Sequence, residues 1–286
     1  MPAMSDPGGK NHDSRFQVRV WGTRGSLPVS GPEFSAYGGN TICFEMRCGE
    51  HTLIFDAGSG LLPAGYAVKS EGQTKFNLFL THCHYDHMLG LPFFAPLFDP
   101  EASIALWSGH LYGEMTTEQM IHDFIRPPWF PIKPEILNAK IETRDFKPGE
   151  DLHPHPEMVI RTGKLSHPGE AVGYRVEWGG RAVAIITDTE HMPGSLDPEV
   201  LKLIEDCNLF FYDSQFLDSE MERFSSYGHS SWQQAIRLAR KSGSKQVGFI
   251  HHAPWRTDAD LDEFGRQAKA EYPGCFFARD GQVIDV

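Results

Sequence analysis

Apolar and polar residues alternate over residues 16–21 (Phe-Gln-Val-Arg-Val-Trp), the period-two pattern of a strand with one buried face. Runs at 41–47 and 51–55, parted by a glycine-containing stretch, predict a hairpin. Asn77-Leu78-Phe79-Leu80 is a near-continuous apolar run and predicts a buried strand. Further strands are expected at 103–107, 159–164, 172–176, 181–186, 209–213, 246–250 and 275–279. Trp232, Ala235, Ile236 and Ala239 recur at helical spacing ahead of Gly243, which can end the helix. Shorter helices are expected at 116–124 and 261–271. Residues 92–150 are the least regular part, broken by prolines that include Pro127, Pro128 and Pro131. Within them Trp129 and Phe130 lie in a proline-stiffened loop, either stacking on a ring in a substrate pocket or forming a local hydrophobic plug.

A length of 286 residues allows one large domain or two small ones, and 40% hydrophobic content can fill a core. Residues 1–14 are taken as a disordered leader and 15–286 as a single domain. The leader has no apolar segment of the secretory kind, and no run of about 18 apolar residues exists to span a membrane. Five cysteines without a CxxC pair fit reduced thiols and a cytoplasmic location. The net charge is -12, with no Lys/Arg cluster longer than a dipeptide, which favours a small substrate over duplex DNA or bulk RNA.

The chemistry concentrates in Thr81-His82-Cys83-His84-Tyr85-Asp86-His87, directly after the 77–80 strand. Three imidazoles and a carboxylate delivered into a loop at a strand end suit zinc, manganese or iron. In extended chain His82 and His84 point to one side and can share an ion, while Asp86 and His87 can reach a second. Cys83 points away from them and is expected to pack. Gly22-Thr23-Arg24-Gly25-Ser26 makes a tight turn whose amides and Ser26 could also cradle an anion.

The order His-x-His-x-Asp-His resembles the signature of the metallo-β-lactamase fold hydrolases. That resemblance implies an α/β chain folded as a four-layer αβ/βα sandwich. It implies that Asp56, in Asp56-Ala57-Gly58, orients the metal loop from behind. His167 would complete the His82/His84 site, and Asp188 would bridge two ions. His251, the first residue out of the 246–250 strand, would join Asp86 and His87, with His252 as the alternative ligand or a neighbour in the pocket. The cofactor implied is two divalent metal ions per chain, zinc or manganese.

Gly228-His229-Ser230 ahead of a helix resembles the His-Ser/Thr element of the ribonuclease Z branch, and Asp213 stands where that branch has an acid orienting the histidine. The Gly-Thr-Arg-Gly-Ser start is similar as well. Within the branch the chain looks most like stand-alone phosphoribosyl cyclic phosphodiesterases and cyclic-nucleotide phosphodiesterases. The implied activity is hydrolysis of a small or cyclic phosphodiester by a metal-bridging hydroxide, with Asp86, His229 and Asp213 as the catalytic groups. His167 and Asp188 are only 21 positions apart, which leaves no room for the arm that grips tRNA in ribonuclease Z. The alternatives are an arm-less RNA nuclease, a carboxylic-ester or lactone hydrolase, and a non-hydrolytic nucleotide sensor. The expected partner is a small phosphodiester, with no membrane, no extended nucleic acid, and a homodimer allowed.

Overall fold

Strand-forming runs dominate the chain, and the structure, a computed structural model, pairs them into two seven-stranded sheets. It describes residues 15–286, so the leader expected at 1–14 lies outside the described residues. The first half holds β1 (Phe16–Gly22), β2 (Cys43–Cys48), β3 (His51–Phe55), β4 (Lys75–Leu80), β5 (Ser103–Ser108) and β6 (Lys140–Asp145). The second holds β7 (Asp151–Leu152), β8 (Val159–Leu165), β9 (Ala171–Trp178), β10 (Arg181–Ile186), β11 (Leu209–Asp213), β12 (Val247–Ile250) and β13 (Cys275–Phe277). The last strand, β14 (Val283–Asp285), crosses back and pairs with β1. The sheet orders are β14-β1-β2-β3-β4-β5-β6 and β13-β12-β11-β10-β9-β8-β7. In both sheets an antiparallel half adjoins a parallel half, so the two share one pattern of pairing.

Three apolar clusters divide the molecule into four layers. The central one joins the inward faces of the two sheets, with Val18, Phe44, Phe55 and Phe79 meeting Tyr174, Val183 and Phe211. A second packs α1 (Leu61–Ser70) and α3 (Thr117–Phe124) on the outer face of the first sheet. A third packs α4 (Pro198–Ile204), α5 (Trp232–Ser242) and α6 (Asp258–Glu271) on the outer face of the second. β4 shows how one strand serves two layers. Phe79 points into the central core while Leu78 and Leu80 point to the helices, because successive side chains leave a strand on opposite faces. The layering is the expected four-layer αβ/βα sandwich. Among the described residues no helix is long and apolar enough to cross a membrane.

Several elements depart from the sequence expectation for local reasons. β6 is polar (Lys-Ile-Glu-Thr-Arg-Asp) and mostly exposed because it is an edge strand, so it shows no apolar run. α1 contains Pro63 and Gly65; the proline is tolerated in the first turn, and the glycine leaves room for Phe94 and Ala95, which a Cβ there would meet at 2.9 Å and 3.0 Å. α6 starts at Asp258, before its first apolar residue, because Thr257 and Asp260 form a capping box. α5 ends as expected at Gly243, whose φ of 74° is left-handed. β9 and β10 join through Gly179-Gly180 and occupy the whole His167–Asp188 interval.

Phe79 lies stacked between Phe55 (5.1 Å) and Trp107 (5.5 Å) in the central core. Phe79→Ala should cost about 3–5 kcal/mol in urea unfolding with little change in slope. A loss near zero would mean that the inter-sheet core does not depend on this stack.

Candidate active site

Strand ends supply almost every polar group of the site. His82 and His84 follow β4, and His84 precedes α2 (Tyr85–Met88), a single turn that carries Asp86 and His87. His167 follows β8, Asp188 follows β10, Asp213 ends β11, and His251 follows β12. The groups therefore come from both sheets and meet at the edge of the sandwich.

Three groups of ligand atoms form among the described residues, and Asp188 belongs to all of them; the third, Asp188, Asp213, His229 and His251, shares Asp188 and His251 with the second. In the first, His82 Nε2 lies 3.0 Å and His167 Nε2 3.1 Å from His84 Nδ1. Asp188 Oδ2 stands 3.6 Å from His82 and 3.7 Å from His167. In the second, His251 Nε2 is 3.1 Å from Asp86 Oδ2 and 3.2 Å from Asp188 Oδ1. His87 Nε2 is 3.4 Å and 3.3 Å from the same two atoms. Ligand atoms around a tetrahedral ion with bonds of 2.0–2.3 Å lie roughly 3.3–3.7 Å apart, so these two clusters have the right size. Each oxygen of Asp188 faces a different cluster.

The hydrogen bonds behind the ligands decide which nitrogens are free. Asp56 accepts from the Thr81 amide (2.7 Å) and the Thr81 hydroxyl (2.8 Å), and it takes His87 Nδ1–H at 2.8 Å. Thr81 Oγ1, having donated to Asp56, can accept from His82 Nδ1–H at 3.0 Å. His167 gives its Nδ1–H to the Gly228 carbonyl at 2.8 Å. The Nε2 lone pairs of His82, His87 and His167 are thus turned inward, and His87 Nε2 is buried with no hydrogen-bond partner. Two imidazole lone pairs aimed at His84 Nδ1 cannot both receive its single proton. A shared cation satisfies all three, so the donor set fits a divalent metal.

Electrostatics point the same way. Burial lowers the pKa of His82, His84 and His167, keeping these imidazoles neutral and able to ligate. Burial would raise Asp188, but the charges of His251 and His87 hold its carboxyl well below the usual range. Burial opposes a charge on His87, yet Asp188, Asp86 and Asp56 raise its pKa well above the ordinary value. A buried spot that draws a proton this strongly is a spot that stabilises a cation.

His229 belongs to the same cavity, a space of about 500 Å³ that Tyr85, Asp188 and His251 also line. Its Nδ1 lies 2.9 Å from Asp213 Oδ2 and 3.9 Å from Asp188. Burial works against its charge, but Asp213, through its charge and hydrogen bond, then Asp188 and Asp86 push it up to about 9. Asp213 is fully buried and is steadied by the amides of Thr189 (3.2 Å) and Gln215 (3.1 Å).

Some expectations change. The Gly22–Ser26 turn is not a free anion cradle: Thr23 and Arg24 give their amides to Asn40, Gly25 to His252, and Ser26 to Asp86 Oδ2 at 2.7 Å. It positions Asp86, and Gly25 leaves room for His251, whose ring a Cβ there would meet at 2.2 Å. His252 is not among the residues lining the cavity: its Nε2 bonds the Ala278 carbonyl (3.0 Å) and its ring packs on Phe277. Cys83, expected to pack, does lean on the outer apolar cluster, although it also borders the cavity. Trp129 and Phe130 line a neighbouring groove instead of the cavity itself. Sequence reasoning misses Glu190. Its carboxylate accepts the Ser226 (2.8 Å) and Gly228 (2.9 Å) amides, and its own amide donates to the Ser166 carbonyl (2.7 Å). It ties the His167, Asp188 and His229 loops together; a glutamate two places after the bridging aspartate is the signal available in the sequence.

Residues 51–252 match the family model described as the beta-lactamase superfamily domain. A ribonuclease Z from Myxococcus xanthus is 24% identical, over 82% of this chain and 88% of its own. Among solved structures, the metallo-beta-lactamase fold protein YhfI from Bacillus subtilis aligns with TM-score 0.73 at 18% identity, covering 96% of this chain and 100% of its own. A diphosphatase from the PhnP family aligns with TM-score 0.69 at 20% identity, covering 95% and 98%.

Adding Zn²⁺ or Mn²⁺ to chelator-treated protein should raise its Tm by mass action on the folded state. Asp188→Ala should lose most of that rise, because it opens both clusters. An undiminished rise in the variant would mean that Asp188 is not a ligand.

Proposed function

The chain belongs to the beta-lactamase superfamily, in its ribonuclease Z-like branch, and we propose that it is a dinuclear metal-dependent phosphodiesterase acting on a small or cyclic phosphodiester. The observation that carries this proposal is the His229–Asp213 pair on the wall of the cavity. The His82/His84/His167 and Asp86/His87/His251 groups are each completed by Asp188 without His229, so an oriented imidazole is left over beside them. Hydrolysis of an ester with a poor alkoxide leaving group is the chemistry that uses one.

His82, His84 and His167 with Asp188 Oδ2 would hold one divalent cation, zinc or manganese. Asp86, His87 and His251 with Asp188 Oδ1 would hold the other. When bound, such a pair supplies an activated water and neutralises the non-bridging phosphoryl oxygens. Asp56 and Thr81 keep the His87 and His82 rings in the ligating tautomer. Asp213 takes Nδ1–H of His229, which leaves Nε2 to hand a proton to the departing alkoxide or to stabilise its charge.

A small substrate is supported by the net charge of -12 and by the Gly179-Gly180 hairpin that fills the interval in which the resemblance places a tRNA-gripping arm. The names of the curated relatives favour a second reading, an arm-less RNA nuclease. Side-by-side turnover of cyclic nucleotides, cyclic ribose phosphates and precursor tRNA at physiological salt separates the two. Efficient cleavage of precursor tRNA would replace the first reading by the second.

Elemental analysis should find close to two divalent ions per chain. His229→Ala should retain them, yet lower kcat by roughly 10²–10⁴-fold on phosphodiesters with alkoxide leaving groups. The loss should be much smaller for bis(p-nitrophenyl) phosphate, whose phenolate leaves unprotonated. Asp213→Asn should show a weaker form of the same split. Equal losses on both substrate types would remove the proton-donor role.

A further inference from the structure

Beside the cavity lies a second depression of about 460 Å³, lined by Tyr85, Phe93, Phe124, Trp129 and Phe130 together with Asp123. Tyr85 lines both spaces, so they adjoin at this residue. Tyr85 stands between His84 and Asp86 in the chain, which places its ring one residue from groups of either cluster. Its side chain is 79% exposed and that of Trp129 is 78% exposed. Large rings left open to water beside a reaction centre mark a surface that something covers.

The contrast with the other aromatic group near the site is instructive. Phe216 and Phe224 stack at 4.4 Å, Trp255 lies over both at 6.5 Å and 6.2 Å, and Phe216 meets the His229 ring at 5.8 Å. Each ring of that group has an aromatic partner, although Trp255 stays half exposed. In the groove, Phe93 and Phe130 pack edge to face at 5.6 Å, and Phe124 supports Tyr85 at 6.4 Å. Trp129 has no aromatic partner among the described residues, so ring faces remain open there.

We propose that the Tyr85–Trp129 groove is a base-stacking subsite, so that the substrate is a phosphodiester bearing a nucleobase and not a bare cyclic ribose phosphate. The proposal rests on the phosphodiesterase reading of the adjacent site and narrows its substrate class. Open ring faces accept any planar heterocycle with little regard to its identity. Asp123, which pairs with Arg126 at 3.4 Å, adds the one charge of the lining, and its carboxylate can accept from a ring N–H or exocyclic amino group. The two spaces thereby divide the ligand: phosphate goes to the cluster of imidazoles and carboxylates, the base goes to the groove. An alkyl chain would bury no hydrogen-bond donor against Asp123.

Titration calorimetry on the full chain loaded with Mn²⁺ tests this, with AMP and ribose 5-phosphate as probes that differ only by the base. AMP is expected to bind roughly 5–100-fold more tightly. Trp129→Ala should remove most of that advantage and leave the affinity for ribose 5-phosphate unchanged, while Tyr85→Ala, whose ring also lines the cavity, should weaken AMP more than ribose 5-phosphate. Tyr85→Phe and Trp129→Phe keep a ring and should keep the preference. Equal binding of the two probes by the unaltered protein, or alanine variants that weaken both probes alike, overturns the subsite. Turnover of bis(p-nitrophenyl) phosphate by the unaltered protein reports separately on the adjacent site. A base-dependent preference without turnover keeps the subsite and rejects the phosphodiesterase reading, while turnover without the preference does the reverse.

Discussion

Asp188 is a fully buried carboxylate set among five imidazoles, and the rest of the site is arranged around the cost of keeping it charged there. An isolated carboxylate in such a place would take up a proton. Here one oxygen faces His82 and His167 while the other faces His87 and His251. Its backbone is strained to present them, with φ at 41°, and Asp56 and His251 share the left-handed conformation at 60°. Three strand-end residues of the site thus hold left-handed backbone conformations that non-glycine residues seldom adopt. The surrounding sheets fix both flanks of each turn and so can hold them.

Five of the groups facing the interior are each held by a further hydrogen bond, whereas His251 Nδ1 is buried without a partner. Asp56 holds His87, Thr81 holds His82, the Gly228 carbonyl holds His167, the Ser26 amide holds Asp86, and Asp213 holds His229. Gly228 can serve only as glycine, since a Cβ would lie 2.3 Å from His167 Nδ1 and its φ is 84°. Such backing selects the tautomer and the ring plane before any ligand arrives, which lowers the ordering that binding must otherwise supply.

The 82–87 cluster is legible in the sequence because four ligand-type residues fall within six positions after an apolar run. His167, Asp188 and His251 become legible only through their order at successive strand ends; each alone is an ordinary polar residue after a strand. The choice between His251 and His252 turns on side-chain direction, which alternates along the strand and so separates neighbours that composition cannot. Glu190 escapes because its work is done on backbone amides of a distant loop, Ser226 and Gly228, which leave no mark on residue type. In the fold, β6 and β14 escape for a common reason: edge strands bury little, so no apolar pattern is required of them. The outer helices α1 and α4 escape because proline and glycine or mere shortness interrupt their period.

The pairing of β14 with β1 gives synthesis on the ribosome a particular shape. β1 is among the first strands to emerge and β14 the last, separated by more of the chain than any other paired strands, and the register joins Gln17 to Asp285. Until the final strand appears, the outer edge of β1 stays open, with unpaired amides and carbonyls along it. The opposite edge of the same sheet, β6, carries charged residues that discourage pairing with another chain, but β1 has a face of Phe16, Val18 and Val20 that offers no such protection. Contacts of this sequence separation form late, so the nascent chain passes through an interval in which that edge can recruit the wrong partner. Chaperone dependence during expression would then trace to the edge of one strand and not to the metal centre.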